Sequence, residues 1–474
     1  MASIVVTGGG IVALTTAMLL ADDGHDVTVL ERDPAPVPEP SEAWETWERR
    51  GVNQFRLPHL FLARFRIELE RGLPRVIKAL EQAGALRLNP MAETPAEFTG
   101  GWREDDGAFE FLTGRRPVME AAIAAVAQST PGVTVRRGVA GGGLVGASVT
   151  GSHAAAVPHV VGVRTTSGEE VLADLVVDAT GRRSAVPDWI KALGAQPPEE
   201  ELEDSGFVYY GRHFRAPDGA IPPAFGPGLM DHGSISTLTL PADNGTWSVV
   251  VVASAKDSAL RRLRDVEKWS AVVKSLPLVA HWIEGEPLED GVMTMSKIED
   301  RHRRYFVDGR PVVTGVVALA DAWACTNPSL GRGVSIGTLH GFALRDVLRE
   351  SGVGDPTAFA AAFDEATMRA VEPWYRATLS YDRHRLAEVE AEIRGVPYEA
   401  DDPQWEITKS LQYAAGQDPE CLRAFVSIVS VLGTPDEVLA RPGLLDKVLS
   451  AGADWREAER LGPSRSELVS IAGS

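Results

Sequence analysis

Gly8-Gly9-Gly10-Ile11-Val12-Ala13 sets two glycines and a small residue at the spacing GxGxxA. A dinucleotide asks for that arrangement. Gly8 permits the tight turn, Gly10 lets a pyrophosphate reach the backbone, and Ala13 allows close helix–strand packing. The helix that follows presents free N–H groups and a positive dipole end to the phosphates. Glu31 lies about 20 residues on, where a carboxylate can accept hydrogen bonds from a ribose hydroxyl, and Arg32 follows it. Two further segments set polar residues and glycines beside apolar runs. One is Asp178-Ala-Thr-Gly181-Arg-Arg-Ser184. The other is Ala320-Asp321-Ala322 followed by Asn327-Pro328-Ser329-Leu330-Gly331-Arg332-Gly333.

These residues need a frame to position them. Ile4–Thr7 reads as a strand, Ile11–Asp22 as a helix apolar on most sides, and Val27–Leu30 as a second buried strand. Pro34, Pro36, Pro38 and Pro40 break any ladder, so a loop follows. Helix is expected near 60–84 and 116–128. Short strands are expected at 133–136, 160–164 and 175–177, and an antiparallel sheet within 205–255. Val312–Val313 and Val316–Leu319 read as sheet core, and helices fill most of the chain beyond 335.

With 47 basic against 66 acidic residues, the chain lacks the basic stripe of a nucleic-acid binder. Cys325 and Cys421 are too few for a disulfide scaffold or a multi-cysteine zinc site. No apolar run is long enough to span a bilayer, and the first residues lack the features of a signal peptide, so no membrane partner and a cytoplasmic location are expected.

Taken together, the three glycine- and aspartate-bearing segments resemble the class A flavoprotein monooxygenases of the p-hydroxybenzoate hydroxylase fold. Gly51-Val-Asn-Gln-Phe-Arg-Leu-Pro-His59 is similar to a bacterial hydroxylase and epoxidase branch. The resemblance implies an α/β fold: a Rossmann-like FAD-binding domain (1–75, 113–190 and 300–345), an antiparallel-sheet substrate domain (76–112 and 191–299) and a helical C-terminal region (346–474). It implies FAD held by Gly8, Gly10, Ala13, Glu31, Arg32, Arg116, Asp178, Gly181 and Asp321. Pro328, Gly331 and Gly333 would line the isoalloxazine. Ala320 stands where the family usually has glycine. Trp323 and Cys325 replace smaller or more polar residues.

The resemblance further implies electrons from NADPH or NADH, directly or through a flavin reductase. Oxygen would pass to a small-molecule substrate by way of a flavin C4a-hydroperoxide. Such a cycle needs a dry cavity rather than a dedicated nucleophile. Arg56, His59 and Arg332 are candidates for a catalytic role, and Tyr209, Tyr210, His213 and Arg215 for substrate contact. Hydroxylation of an aromatic or polycyclic molecule in secondary metabolism is the expected reaction, with alkene epoxidation as the alternative. A flavin-dependent halogenase, a reductase and a non-catalytic flavin-binding protein stay open.

Three motif matches read as accidental. Gly141–Gly146 fits GxGxxG without a helix after it. Gly333-Val-Ser335-Ile-Gly337 fits a nucleophile elbow without a strand before it. Glu299-Asp-Arg-His302 has a di-iron spacing without a second Glu-x-x-His. No metal is expected.

Overall fold

The computed structural model describes residues 1–147 and 157–473. The first half of the chain runs β1 (Ser3–Thr7), α1 (Ile11–Asp22), β2 (Asp26–Glu31), α2 (Ala63–Gly72), α3 (Pro74–Gln82), α4 (Arg116–Ser129), β3 (Val133–Arg137) and β4 (Leu175–Asp178). The second half runs β5 (Phe207–Arg215), β6 (Leu229–His232), β7 (Ile235–Pro241), β8 (Thr246–Ser254), β9 (Glu299–Arg304), β10 (Val316–Ala318), α5 (Gly333–Ser351) and α6 (Glu372–Arg394). The architecture is the expected α/β one, with a parallel sheet first, antiparallel sheets in the middle and helices last.

The parallel sheet has the order β10-β4-β1-β2-β3. Its strands are short and apolar on both faces because helices, α1 and α4 among them, cover one side and a small antiparallel sheet with the helix Val186–Ala192 covers the other. Ile4, Val6, Val27, Val29 and Val177 are all at most 1% exposed. The C-terminal ends of β1, β2, β4 and β10 converge. They deliver Gly8, Glu31, Asp178 and Asp321 to one edge, where open α/β sheets hold their ligands.

Helix α5 crosses α1 where the two can approach closely. A Cβ on Gly337 would lie 2.6 Å from Cγ2 of Val12, and one on Gly341 would lie 2.5 Å from Oγ1 of Thr16. The Gly-x-Ser-x-Gly match is therefore a helix-packing feature inside α5, as its missing strand indicated. Gly141–Gly146 is a strand in a small antiparallel sheet.

The second large sheet has the order β6-β7-β8-β5, all antiparallel, with Met293–Met295 pairing along the far side of β5. Alternation along β5 sends Val208, Tyr210 and Phe214 into a core with Trp247, Trp269 and Trp282. Phe207 and Tyr209 face the other way, toward Leu57, Val250, Val252 and Met295.

Two expectations are refined. The helix near 60–84 is two helices, because Pro74 has no N–H to continue the first and starts the second. Val312–Val313 is not strand. The apolar run is interrupted at Gly315, whose φ is +74° and whose turn passes against Val160. Glu299–His302 lies in β9, and among the described residues no group of three or more His, Cys, Asp or Glu could hold a metal ion.

The C-terminal helices have locally written starts. Asp355, Asp402 and Asp418 each cap a helix whose first residue is proline, accepting backbone N–H bonds two or three residues on. Among the described residues, no helix is long and apolar enough to cross a membrane.

Candidate functional site

Gly8 has φ +99°, and a Cβ there would sit 2.5 Å from the carbonyl oxygen of Ala179. Only glycine lets the β4 turn come that close. At Gly10 the direction of a Cβ is clear to 4 Å, which leaves the loop accessible to a ligand. Helix α1 begins there with no side-chain cap, so its first N–H groups stay available to an anion. Ala13 is buried in the core behind the loop.

Glu31 is buried and fully engaged. Its Oε2 accepts from the N–H of Gly9 at 2.9 Å and from Arg49, and its Oε1 accepts from the N–H of Asp33 at 2.8 Å. Arg32 points outward against Gly51. Arg49 was not singled out from sequence. Its guanidinium pairs with Glu31 and Glu120 and donates to the carbonyl of Gly9 at 3.2 Å. The local signal was slight: two arginines and a glycine after the short helix Ala43–Thr46.

Glu120 also accepts from Nε of Arg116 at 3.0 Å. Nη1 of Arg116 lies 2.8 Å from Nε2 of His59, and Nδ1 of His59 lies 2.9 Å from the carbonyl of Leu57. The arginine can only donate and the carbonyl only accept, so His59 is neutral with its proton on Nδ1. Burial first, then the neighbouring Arg116, pushes the His59 pKa down to about 3. Burial also lowers Arg116 to about 10, and it stays charged. A continuous chain of polar contacts thus runs from the glycine loop through Arg49, Glu120 and Arg116 to His59.

Asp178 uses both oxygens within its own turn, accepting from Thr180 N–H at 3.1 Å, Thr180 Oγ1 at 2.6 Å and Ser184 Oγ. That turn shapes Gly181, with φ +81° and clear space at its Cβ. Asp321 differs. Among the described residues, nothing is hydrogen-bonded to its carboxylate, which faces the charges of Arg182 and Arg116. Burial raises its pKa, and the two arginines oppose the rise. Its backbone is set by Ala320, an alanine at φ +51° whose N–H donates to Nδ1 of His340 at 3.1 Å.

Pro328 starts a short helical turn that ends at Gly331, φ +64°, and Gly333 opens α5 with clear space at its Cβ. In the first turn of α5, the buried hydroxyl of Ser335 has no partner. Arg332 turns away from this edge. It stacks on Trp374 at 5.5 Å and donates to Thr378 Oγ1 at 3.2 Å and to the carbonyl of Ile428 at 3.3 Å.

On the sheet side, Tyr209 donates to Oδ1 of Asn327 at 2.7 Å, joining the sheet to the loop before α5. His213 is held by Glu289 at 2.9 Å and lies edge-on to Trp44 at 4.7 Å. Tyr210 is in the opposite core, and Arg215 is an exposed strand end paired with Glu286 at 3.0 Å. Arg56 stacks over Trp44 and donates to the carbonyls of Trp44 and Trp47, so it braces the loop.

FAD suits these residues. The cleared glycines 10, 181 and 333 come from separate elements. An unbonded carboxylate at Asp321, an unpartnered hydroxyl at Ser335 and two uncapped helix N-termini accompany them. Polar groups left open in this way suit a ligand with hydroxyls and anionic oxygens.

No protein-family model matches the chain. A curated relative, Protein Rv3254 of Mycobacterium tuberculosis, is 29% identical over 397 residues, covering 78% of this chain and 77% of the relative. Among solved structures, the Diels-Alderase PyrE3 of pyrroindomycin biosynthesis aligns with TM-score 0.57 at 19% identity, over 91% of this chain and 80% of that one. The anhydrotetracycline hydroxylase OxyS of Streptomyces rimosus aligns at 0.55 and 19%, over 91% and 76%. A 2-methyl-3-hydroxypyridine-5-carboxylic acid oxygenase aligns at 0.54 and 16%, over 82% and 93%. The chain therefore has the fold expected from its motifs, that of the p-hydroxybenzoate hydroxylase-type flavoprotein monooxygenases.

Proposed function

We propose that the chain is an FAD-dependent monooxygenase that hydroxylates a hydrophobic or aromatic small molecule with one atom of O2, in secondary metabolism. The observation that carries this reading is the Asp321 carboxylate, unbonded between Arg116 and Arg182 beside the cleared N-terminus of α5. FAD, when bound, supplies two-electron storage and reaction with oxygen; NADPH or NADH, directly or through a reductase, supplies the electrons.

The chain does the rest. Glu31 and the N-terminus of α1 bind the adenosine half, and Asp321 takes a hydroxyl of the chain that joins it to the isoalloxazine. Pro328, Gly331 and Gly333 would line the ring, and the dipole of α5 would favour negative charge there. Leu57, Tyr209, Val250, Val252 and Met295 form an apolar face that excludes water from the reacting atoms. An alkene epoxidase would use the same apolar face.

A second reading is a non-redox cyclase, because one aligned structure is described as a Diels-Alderase. One experiment separates the two. The FAD-reconstituted chain is reduced without air, by NADPH, NADH or dithionite, and then mixed with oxygen in a stopped-flow absorbance cell. A transient species distinct from oxidised and reduced flavin, and labelled oxygen in the product, are expected. One-step reoxidation with no labelled product would move the assignment to the second reading.

A further inference from the structure

Asp382 lies on α6 with 2% of its surface exposed. Its Oδ1 accepts from Ser329 Oγ at 2.6 Å and from Asn327 Nδ2 at 3.3 Å. Its Oδ2 is buried without a partner. Asn327 in turn accepts the hydroxyl of Tyr209 at 2.7 Å and donates its backbone N–H to Oδ1 of Asp300 at 2.6 Å. One turn further along α6, Leu386 packs on the cluster of Leu57, Phe207, Tyr209, Val250, Val252 and Met295. Asp382 therefore stands where the loop before α5, the inner face of the substrate sheet and the covering helix meet.

The ionisable groups facing it are Asp300 from β9, Arg332 from the loop, Tyr209 from β5 and Tyr381 from α6 itself. Burial, aided by Asp300, pushes the Asp382 pKa up to about 8 against Ser329, Asn327 and Arg332. It is therefore an acid at neutral pH. Oδ1 already takes two donors, so the proton belongs on Oδ2. A buried O–H with nothing to donate to is costly, and such a group asks for an acceptor.

We propose that Asp382 is a specificity-determining residue whose free carboxyl oxygen donates a hydrogen bond to a carbonyl or phenolic oxygen of the substrate. A ligand that carries an oxygen acceptor is then favoured over a hydrocarbon of the same shape. The inference rests on the monooxygenase reading for the place of the substrate, but its test needs no turnover.

The probes are anthraquinone and anthracene, alike in shape and different in their carbonyls. Binding is followed by tryptophan quenching, with and without FAD. The wild-type chain should bind anthraquinone about tenfold more tightly than anthracene, the worth of one well-placed hydrogen bond. Asp382→Leu should remove that preference and leave anthracene affinity unchanged. Asp382→Asn keeps an acceptor for Ser329 and a donor for the ligand, so it should keep the preference. Anthraquinone affinity of the wild-type chain should fall as pH rises through about 8, where the donor proton leaves, and that of Asp382→Asn should not.

A wild-type chain without preference overturns the proposal. So does an equal loss for both probes in Asp382→Leu, or a pH profile shared by wild type and Asp382→Asn. A chain that prefers anthraquinone through Asp382 yet takes up no FAD upholds this inference and overturns the monooxygenase reading.

Discussion

Ala320 and His340 are joined by a single hydrogen bond, the alanine N–H donating to Nδ1 of the imidazole at 3.1 Å. The alanine is left-handed, φ +51°, and Nε2 of the histidine is satisfied by Thr367 Oγ1 at 3.0 Å. A helix residue thus holds a strained turn in place, and that turn aims Asp321. Left-handed backbone costs a non-glycine residue about 1–2 kcal/mol. Ala320→Gly should therefore stabilise the fold by up to about 1 kcal/mol, part of the relief being offset by greater freedom of the unfolded chain. Ala320→Val should lose about 2 kcal/mol or more, because a β-branched side chain fits this conformation poorly. Urea denaturation of the three chains checks both signs.

Acid should unfold the chain through two histidines. Burial lowers His59 and His340 to about 3, from an ordinary value of 6.5. Between those values the unfolded chain binds protons that the folded chain refuses. Stability is therefore complete above about pH 6.5 and is lost as pH falls toward 3, by about 1.4 kcal/mol per pH unit for each histidine. Unfolding free energies measured at several pH values should show that slope. A His59→Asn/His340→Gln double variant should flatten it, and an unchanged slope would place the acid sensitivity elsewhere.

Asp321→Ala should weaken FAD binding by about tenfold or more, the worth of a charge-assisted hydrogen bond. Its thermal unfolding should stay close to wild type without FAD, because no described protein group loses a hydrogen bond to that carboxylate. Flavin fluorescence titration reads the first quantity and calorimetry the second. Equal FAD affinity in the two chains would sink the assignment.

Arg332→Ala should behave in the opposite way. The side chain ties the start of α5 to Trp374, Thr378 and the carbonyl of Ile428. Its loss should cost about 2–3 kcal/mol of stability, since it leaves buried partners unpaired, and change FAD affinity little. A collapse of FAD affinity at constant stability would give Arg332 a role at the cofactor instead.

The parallel sheet and its glycine loop were legible because their signals are short-ranged. Continuous apolar runs beside glycines mark these strands, and Ile11–Asp22 matches its expected bounds. Pairings between distant residues were not legible. Arg49 meets Glu120, His340 meets Ala320, and Asp382 meets Asn327 across loops and helices whose paths no local pattern encodes. Candidates chosen by residue type are separated in the structure for the same reason. Tyr209 and Tyr210 are neighbours in sequence, yet strand alternation sends one to the candidate site and the other into the opposite core.

On the proposed function, Arg49 would give cofactor uptake the character of an exchange. Both oxygens of Glu31 are already in use, Oε2 by the arginine and the N–H of Gly9 and Oε1 by the N–H of Asp33. On the proposed function, a nucleotide entering here replaces one set of charge-assisted bonds with another. Measured affinity would then be a difference between two similar sums, and the rate of loading would depend on how readily Glu31 and Glu120 release the arginine. Tight holding and slow loading would share one cause, a side chain that keeps the seat in the ligand's shape until the ligand arrives.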